Sequence, residues 1–143
     1  MAEDTTIDVR GSCVCGEVRW RAQGRPKVFQ YCFCSRCRKV SGGAFVPNLF
    51  LPADGVSFLS GEHRIRRFDL PETRYWSTAF CEVCGSSVPW LSRNGRSWIM
   101  AAGALDDDPG IRASLGVFYG SKAAWYDHEA ALALHDTVPP RTG

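Results

Sequence analysis

Seven cysteines in three separate groups constrain this chain more than any other feature of its sequence. The groups are "CVCG" near the N-terminus, "CFCSRC" in the first third and "CEVCG" beyond the middle. The N-terminal stretch "MAEDTTIDVR" lacks the basic and apolar segments of a signal peptide, so we expect a cytoplasmic protein. Because the cytosol keeps thiols reduced, and because seven is an odd number, metal binding is favoured over a disulfide framework.

The first and third groups together supply one set of four metal ligands. Each is a cysteine pair followed at once by glycine: Cys13, Cys15 and Gly16 in one, and Cys81, Cys84 and Gly85 in the other. A structural zinc takes four ligands in a tetrahedron, and glycine permits the tight turn that directs both sulfurs at one ion. Cys13 and Cys15 also have the spacing of two residues on one face of a strand. We expect a closed Cys₄ site, with two local disulfides or four free thiols as the alternative.

The remaining group, Cys32, Cys34 and Cys37, has three thiols and no fourth. Catalytic zinc sites keep three protein ligands and leave one position open to water or substrate. The shortage of ligands therefore indicates a site that does chemistry. The nearby cations Arg38 and Lys39, with Arg36, favour thiolate and an anionic substrate, or they solvate an exposed turn.

Three other interpretations of the trio stay open at this point. Cys34 and Cys37 have the spacing of a redox pair. A histidine, either His63, His128 or His135, would complete a second structural site. Finally, the cysteine groups could exchange partners in a way that spacing alone does not reveal.

The pattern of the chain predicts a single, mainly β, antiparallel domain. Gly and Pro recur at short intervals, and the segments between them are rich in β-branched and aromatic residues. Apolar and polar side chains alternate in "GEVRWRAQG", with Val18, Trp20 and Ala22 against Arg19, Arg21 and Gln23. Further strands are expected in "AFVPNLFL", "GVSFLSG" and "TRYWSTAFC". The pair Asn94-Gly95 predicts a hairpin with a type I′ turn.

Helical patterns are scarce. One short turn of helix is expected after Cys34, and "DHEAALALHD" predicts two or three turns with Asp127 as the N-cap. With 143 residues and 45% hydrophobic composition, we expect one domain over residues 7–135 and loose ends at 1–6 and 136–143.

Charge and hydropathy offer little support to binding of nucleic acid or membranes. The formal net charge is +2, and counting seven thiolates and two Zn²⁺ ions brings it close to neutral. The basic runs "RPK" and "RIRR" are short and typical of a solvated strand face. No apolar run is long enough to span a bilayer. A homo-oligomer is compatible with the sequence.

Five segments, in this order, resemble the family of the glutathione-dependent formaldehyde-activating enzyme and centromere protein V: "GSCVCGEVRW", "YCFCSRCRKVSGGAF", "FCEVCGSSV", "GALDDDPG" and "SKAAWYD". The resemblance implies a β-tent fold, shared with methionine-sulfoxide-reductase-B-like domains, and two zinc ions per chain. It implies structural zinc at Cys13, Cys15, Cys81 and Cys84, and catalytic zinc at Cys32, Cys34 and Cys37. The implied activity is condensation of glutathione with formaldehyde to S-hydroxymethylglutathione, a carbon-sulfur lyase type of reaction.

The resulting hypothesis is an enzyme that binds a small thiol as thiolate at the open zinc position and orients its sulfur toward a small aldehyde. Arg38 and Lys39 are the candidates for charge support or substrate contact, and Ser41, Trp125 and Tyr126 for the pocket wall. A zinc module that binds protein or nucleic acid is the alternative, and a redox domain is a third reading.

Phe33 departs from the family pattern, which commonly has histidine between the first two cysteines of the trio. In an extended CxC segment the middle side chain points away from the metal, so zinc binding is expected to survive. A substrate other than glutathione is compatible with this change.

Overall fold

The computed structural model describes residues 5–141, and they form three small β-sheets with one short helix. The expected loose ends fall partly on residues 1–4 and 142–143, which lie outside the described residues. The strands are β1 (Ile7–Ser12), β2 (Arg19–Gly24), β3 (Val28–Cys32), β4 (Val46–Pro52), β5 (Val56–Ser60), β6 (Ile65–Asp69), β7 (Ser77–Cys81), β8 (Trp90–Leu91), β9 (Ser97–Ala101) and β10 (Leu115–Val117), and the helix is α1 (Ser35–Ser41). The prediction of a mainly β fold is confirmed.

The sheets have the orders β1-β2-β5, β10-β3-β4-β9-β8 and β6-β7. Their strand pairs are antiparallel except for β10, which runs parallel to β3. Short 3₁₀ turns at Glu62–Arg64, Ala102–Ala104 and Tyr119–Ser121 connect or follow strands. β3, the strand that ends at Cys32, has β10 on one side and β4 on the other, so it lies inside the five-stranded sheet.

The alternation predicted for β2 is borne out by burial. Trp20 and Ala22 are fully buried, whereas Arg19 and Arg21 face solvent. Arg21 donates two hydrogen bonds to the carboxylate of Asp8 on β1, at 2.8 and 2.6 Å. One face of the first sheet therefore belongs to the core and the other carries solvated charges.

Gly11 is required where β1 crosses the indole ring of Trp20. The two residues are partners in the β1–β2 register. A Cβ on Gly11 would lie 2.3 Å from two carbons of that ring, which is far inside van der Waals contact. Glycine thus permits the largest buried side chain of the core to lie against the neighbouring backbone.

The hairpin around Asn94-Gly95 exists, but its predicted turn type is wrong. Gly95 has a φ of +73°, whereas Phe118 is the one non-glycine residue with positive φ among residues 5–141. A type I′ turn would require positive φ at Asn94 as well. Instead, the loop is longer: Gly95 N donates to Ser92 O at 2.8 Å, and Ser92 N donates to Ser97 O at 2.7 Å.

The helix predicted for residues 127–136 is absent from the structure. Asp127 caps a single turn, in which its Oδ1 accepts from Glu129 N and its carbonyl accepts from Ala130 N. Leu132 and Leu134 are 72% and 86% exposed. Because short helices gain their stability from burying an apolar face, these side chains have no surface that would support one.

Candidate functional site

Four cysteines from two distant turns bring their sulfurs together. The Sγ atoms of Cys13, Cys15, Cys81 and Cys84 all lie within 4.8 Å of one another. Cys13 Sγ is 3.5 Å from Cys15 Sγ, which in turn is 3.9 Å from Cys81 Sγ. With zinc–sulfur bonds of 2.3 Å, a tetrahedron has sulfur–sulfur edges of about 3.8 Å, whereas a disulfide bond is about 2.05 Å long. The donor set fits a four-coordinate metal ion.

Two glycine turns shape this four-cysteine cluster. Gly16 (φ +81°) donates its N–H to Cys13 O at 2.9 Å, and Gly85 (φ +78°) donates to Cys81 O at 2.8 Å. The N–H of Val18 points at Cys13 Sγ, 3.2 Å away, and supports negative charge on that sulfur. Contrary to the expectation from spacing, the first cysteine pair lies in a turn after β1 and not within a strand.

The second cluster consists of Cys32, Cys34 and Cys37, whose sulfurs also lie within 4.8 Å of one another. Cys32 ends β3, and Cys34 is the N-cap of α1, where its Sγ accepts from Cys37 N at 3.3 Å. A helix of one turn after Cys34 was predicted, and α1 confirms it. The helix places the sulfur of Cys37 beside its own cap, so three thiols converge.

Neither cluster contains a histidine within the described part of the chain. His128 instead contacts the hydroxyl of Tyr119 through Nδ1 at 3.0 Å. The two cysteine sets also stay separate, with four members in one and three in the other. Among the interpretations that spacing left open, this geometry favours a closed four-ligand site and an open three-ligand site.

The thiols of the trio differ in how readily they lose a proton. A hydrogen bond from the Cys37 thiol lowers the pKa of Cys32 to about 6, with a further contribution from the N–H of Cys34. The same hydrogen bond, together with burial, raises the pKa of Cys37. In this pair, the hydrogen bond therefore favours thiolate at Cys32 and the protonated thiol at Cys37.

A cavity of about 870 Å³ opens beside the trio and is lined by all three cysteines. Its floor is one face of the five-stranded sheet, with Val46, Asn48 and Phe50 of β4. The alternate residues of this strand, Leu49 and Leu51, are fully buried in the core on the other side. Trp90 of β8 lies in the same sheet, opposite the cavity residue Ile99, and β7 and residues 72–76 also line the cavity. The four-cysteine cluster, by contrast, packs with the core, where Cys13 is 3% and Cys81 0% exposed.

Arg93 fixes the loop that forms the cavity wall. Its guanidinium donates to the carbonyl oxygens of Leu70 at 3.0 Å, Thr73 at 2.8 Å and Trp76 at 2.6 Å. It also donates to Ser77 Oγ at 3.2 Å. Because its N–H groups are used in this way, Arg93 acts on the shape of the cavity and not as a free charge.

Of the three cations near the trio in sequence, Arg36 lines the cavity, and not the Arg38 and Lys39 expected from sequence. Arg36 and Ser41 line the cavity, whereas Arg38 and Lys39 do not. At 3.6 residues per turn, α1 directs positions 36, 37, 40 and 41 to one side and positions 38 and 39 to the other. Applying this periodicity to the short predicted helix would have singled out Arg36 among the three cations named from sequence.

The two aromatic residues expected in the pocket wall lie elsewhere. Trp125 is 70% exposed, and neither it nor Tyr126 lines the cavity. The ring of Tyr126 packs 5.5 Å from that of Phe33, centroid to centroid.

Phe33, the position of the family's usual histidine, is 5% exposed and points away from the cavity. Its ring packs against Phe45 at 5.2 Å and Tyr119 at 5.0 Å. This is the orientation expected of the middle residue of an extended CxC segment. The segment between Cys32 and Cys34 is therefore held by aromatic packing and carries no ionisable group.

Within residues 5–141, no helix has both the length and the apolar character needed to cross a membrane. The fold and the clusters thus define a class of protein: a small β domain with one Cys₄ set beside the main core and one Cys₃ set that opens into a cavity. The model of the family "Glutathione-dependent formaldehyde-activating enzyme" matches residues 8–121. The chain belongs to this family.

Two relatives illustrate the similarity. A Halomonas elongata protein, provisionally named a glutathione-dependent formaldehyde-activating enzyme, is 35% identical over 91 residues, which cover 58% of this chain and 55% of that protein. The match thus spans little more than half of the relative's length. A crystal structure of a Rhodobacter sphaeroides protein superposes with a TM-score of 0.55 at 16% identity, covering 75% of this chain and 97% of the other. That second likeness concerns the fold alone.

Proposed function

We propose that this protein is a cytoplasmic enzyme that forms or cleaves an adduct between a small thiol and a small aldehyde, a carbon-sulfur lyase type of reaction. Glutathione and formaldehyde are the candidate substrates, because the name of the family specifies them. The observation that carries the proposal is the opening of the Cys32, Cys34 and Cys37 cluster into the cavity. A purely structural metal site has no need of such a space.

The two cysteine clusters are proposed to hold two zinc ions. Cys13, Cys15, Cys81 and Cys84 would hold the structural ion, and Cys32, Cys34 and Cys37 the catalytic one. A bound Zn²⁺ would supply a Lewis acid that lowers the pKa of a substrate thiol and holds its sulfur. We assign both sites to one domain of residues 7–135.

The chain's own groups prepare the site for an anionic thiol. The Cys37 N–H donates to Cys34 Sγ at 3.3 Å, which holds that sulfur in place and offsets part of its negative charge. Arg36 projects from the exposed side of α1 into the cavity and attracts carboxylates such as those of glutathione. The aromatic side chains of Trp76, Trp90 and Phe50 line the cavity and limit the water around the reacting sulfur.

The basic runs support a small-molecule substrate over a nucleic acid. In "RIRR", Arg64 and Arg66 both form ion pairs with Glu82. Arg67 pairs with Asp69 at 2.8 Å. Cations that are neutralised within the protein offer little to a phosphate backbone.

The test is the rate at which glutathione and formaldehyde interconvert with S-hydroxymethylglutathione, measured by NMR above the uncatalysed rate. We expect catalysis by the zinc-loaded protein and only the background rate from a variant with Cys32, Cys34 and Cys37 changed to Ser. Titration calorimetry with glutathione and other low-molecular-weight thiols should detect binding to the wild-type protein. Binding of none of these thiols, or a rate that matches the serine variant, would contradict the proposal.

A further inference from the structure

Asn48 is a buried polar side chain in the floor of the cavity, and its Oδ1 has no hydrogen-bond partner. The residue is 7% exposed and lines the same cavity as the three cysteines. Buried polar atoms are nearly always paired with protein or water, because a polar atom without a partner is costly to bury. This oxygen is closed to solvent, so the polar group that Asn48 can offer to a ligand in the cavity is its NH₂.

The strand register places Asn48 close to the trio. Cys32 on β3 lies opposite Val46 on β4, and Asn48 is two residues farther along β4 on the same face. Diagonal neighbours of this kind have Cα atoms roughly 7–8 Å apart. This gap accommodates the few atoms of a small carbonyl compound whose carbon is bonded to a sulfur at the trio.

The side chains next to Asn48 in the cavity floor are apolar, which makes its carboxamide the polar group of this region. Along the floor, its neighbours on β4 are Val46 and Phe50, and the residue opposite it on β9 is Ala101. The polar residue opposite it on β3, Gln30, does not line the cavity. The three neighbours of Asn48 that line the cavity, Val46, Phe50 and Ala101, are all apolar. A polar group of a ligand that reaches this part of the floor meets the carboxamide of Asn48 as its hydrogen-bonding partner.

We propose that Asn48 binds the oxygen of the aldehyde while the thiol adds to its carbon, an inference that rests on the function proposed above. In this step a carbon–sulfur bond forms, the electron pair of the carbonyl π bond moves to oxygen, and the proton released by the thiol ends on that oxygen. The NH₂ of Asn48 suits this step, because it can donate a hydrogen bond to the carbonyl oxygen and to the oxygen of the hydroxyl that forms.

The test compares Asn48→Leu with wild type in adduct formation and in binding of glutathione alone. Loss of one donor to a developing oxyanion lowers kcat by about 10²-fold or more. We expect such a loss of kcat. The affinity for glutathione alone should change by less than about twofold, because Asn48 is proposed to contact the aldehyde oxygen and not the thiol. We also expect an unchanged or higher melting temperature, because a near-isosteric apolar side chain removes an unpaired buried polar group.

Gln30→Leu is the matched control. Gln30 lies directly opposite Asn48 on β3 but does not line the cavity, so it should leave the rate unchanged. If Asn48→Leu does not fold, Asn48→Asp replaces it; it keeps the shape but loses the NH₂ donors, and the rate should fall in the same way. An active wild-type protein with an equally active Asn48 variant overturns this inference and leaves the proposed function standing. A wild-type protein with no catalysis overturns the proposed function, and with it this role for Asn48.

Discussion

Cys15 and Cys81 lie 66 positions apart in the sequence, yet their Sγ atoms are 3.9 Å apart. Cys81 ends β7 and is fully buried, whereas Cys15 lies in an exposed turn after β1. The contact therefore joins the first sheet to the β6–β7 sheet through sulfur atoms. No backbone pairing links β1 with β7, so a metal ion held between the sulfurs would be a principal tie between these sheets.

Metal removal should consequently unfold the domain. Structural zinc sites of this type contribute an apparent binding free energy of about 10–16 kcal/mol at neutral pH, while whole domains are stable by about 5–15 kcal/mol. We expect a strong chelator to abolish the near-UV circular dichroism of the reduced protein cooperatively, and added zinc to restore it. A spectrum that is unchanged after all metal has been removed would contradict a structural role for this cluster.

Cys34→Ser should remove one metal ion and leave the fold intact. Serine is a good N-cap, so α1 keeps its first turn, and the trio packs in a small cluster with Val46 that is separate from the main core. We expect the metal content to fall from two ions to one per chain with a melting temperature within a few degrees of wild type, in contrast to unfolding by Cys81→Ser. Unfolding of Cys34→Ser would mean that the second site is structural.

Gly11→Ala should destabilise the domain by about 3 kcal/mol, because the added methyl group collides with a fully buried Trp20 ring that has no room to move. Urea unfolding followed by tryptophan fluorescence measures the change. Gly103→Ala is the control, since a Cβ at Gly103 meets no atom within 4 Å, and its free energy of unfolding should change by less than about 0.5 kcal/mol. Equal effects of the two substitutions would argue against the close contact.

Arg93→Lys should loosen the cavity wall. A lysine cannot reproduce the fork of donors that binds Leu70 O, Thr73 O and Trp76 O, and hydrogen bonds to charged groups contribute about 1.5–3 kcal/mol. We expect a loss of stability of about 2 kcal/mol and faster amide hydrogen exchange in residues 70–76. Arg96→Lys, at an exposed position in the same hairpin, should change neither quantity. Unaltered exchange in Arg93→Lys would show that other contacts hold the loop.

The grouping of the cysteines was predictable because the chemistry of a metal site restricts ligand number and spacing. Two glycine-terminated pairs make four ligands, and the trio remains; the structure brings together these same sets. The alternation around Trp20 also identified β2, since one buried face leaves a period-2 pattern. The cysteine groups and β2 could be predicted because both depend on the spacing of residues that are near one another in the sequence, together with the number of ligands that a metal takes.

Other features depend on contacts between distant parts of the chain, and the sequence alone did not identify or distinguish them. Arg36 and Arg38 are equally close to the trio in sequence, and only the direction of α1 distinguishes them. Asn48 reads as one polar residue in an apolar strand, and its position in the cavity floor follows from the β3–β4 register. Leu132 and Leu134 follow a helical pattern, but no surface of the core faces them.

Because β10 pairs with β3 but comes much later in the chain, β3 is completed on both sides only late in synthesis. The ligands of the four-cysteine cluster are complete once Cys84 has left the ribosome, whereas β3 obtains its second neighbour only when Leu115–Val117 follows. The nascent chain can therefore assemble its core around one metal before the strand bearing Cys32 is flanked on both sides. A chain that stops before β10 would keep the complete Cys₄ set and leave the strand ending at Cys32 as an exposed edge, open to pairing with another chain.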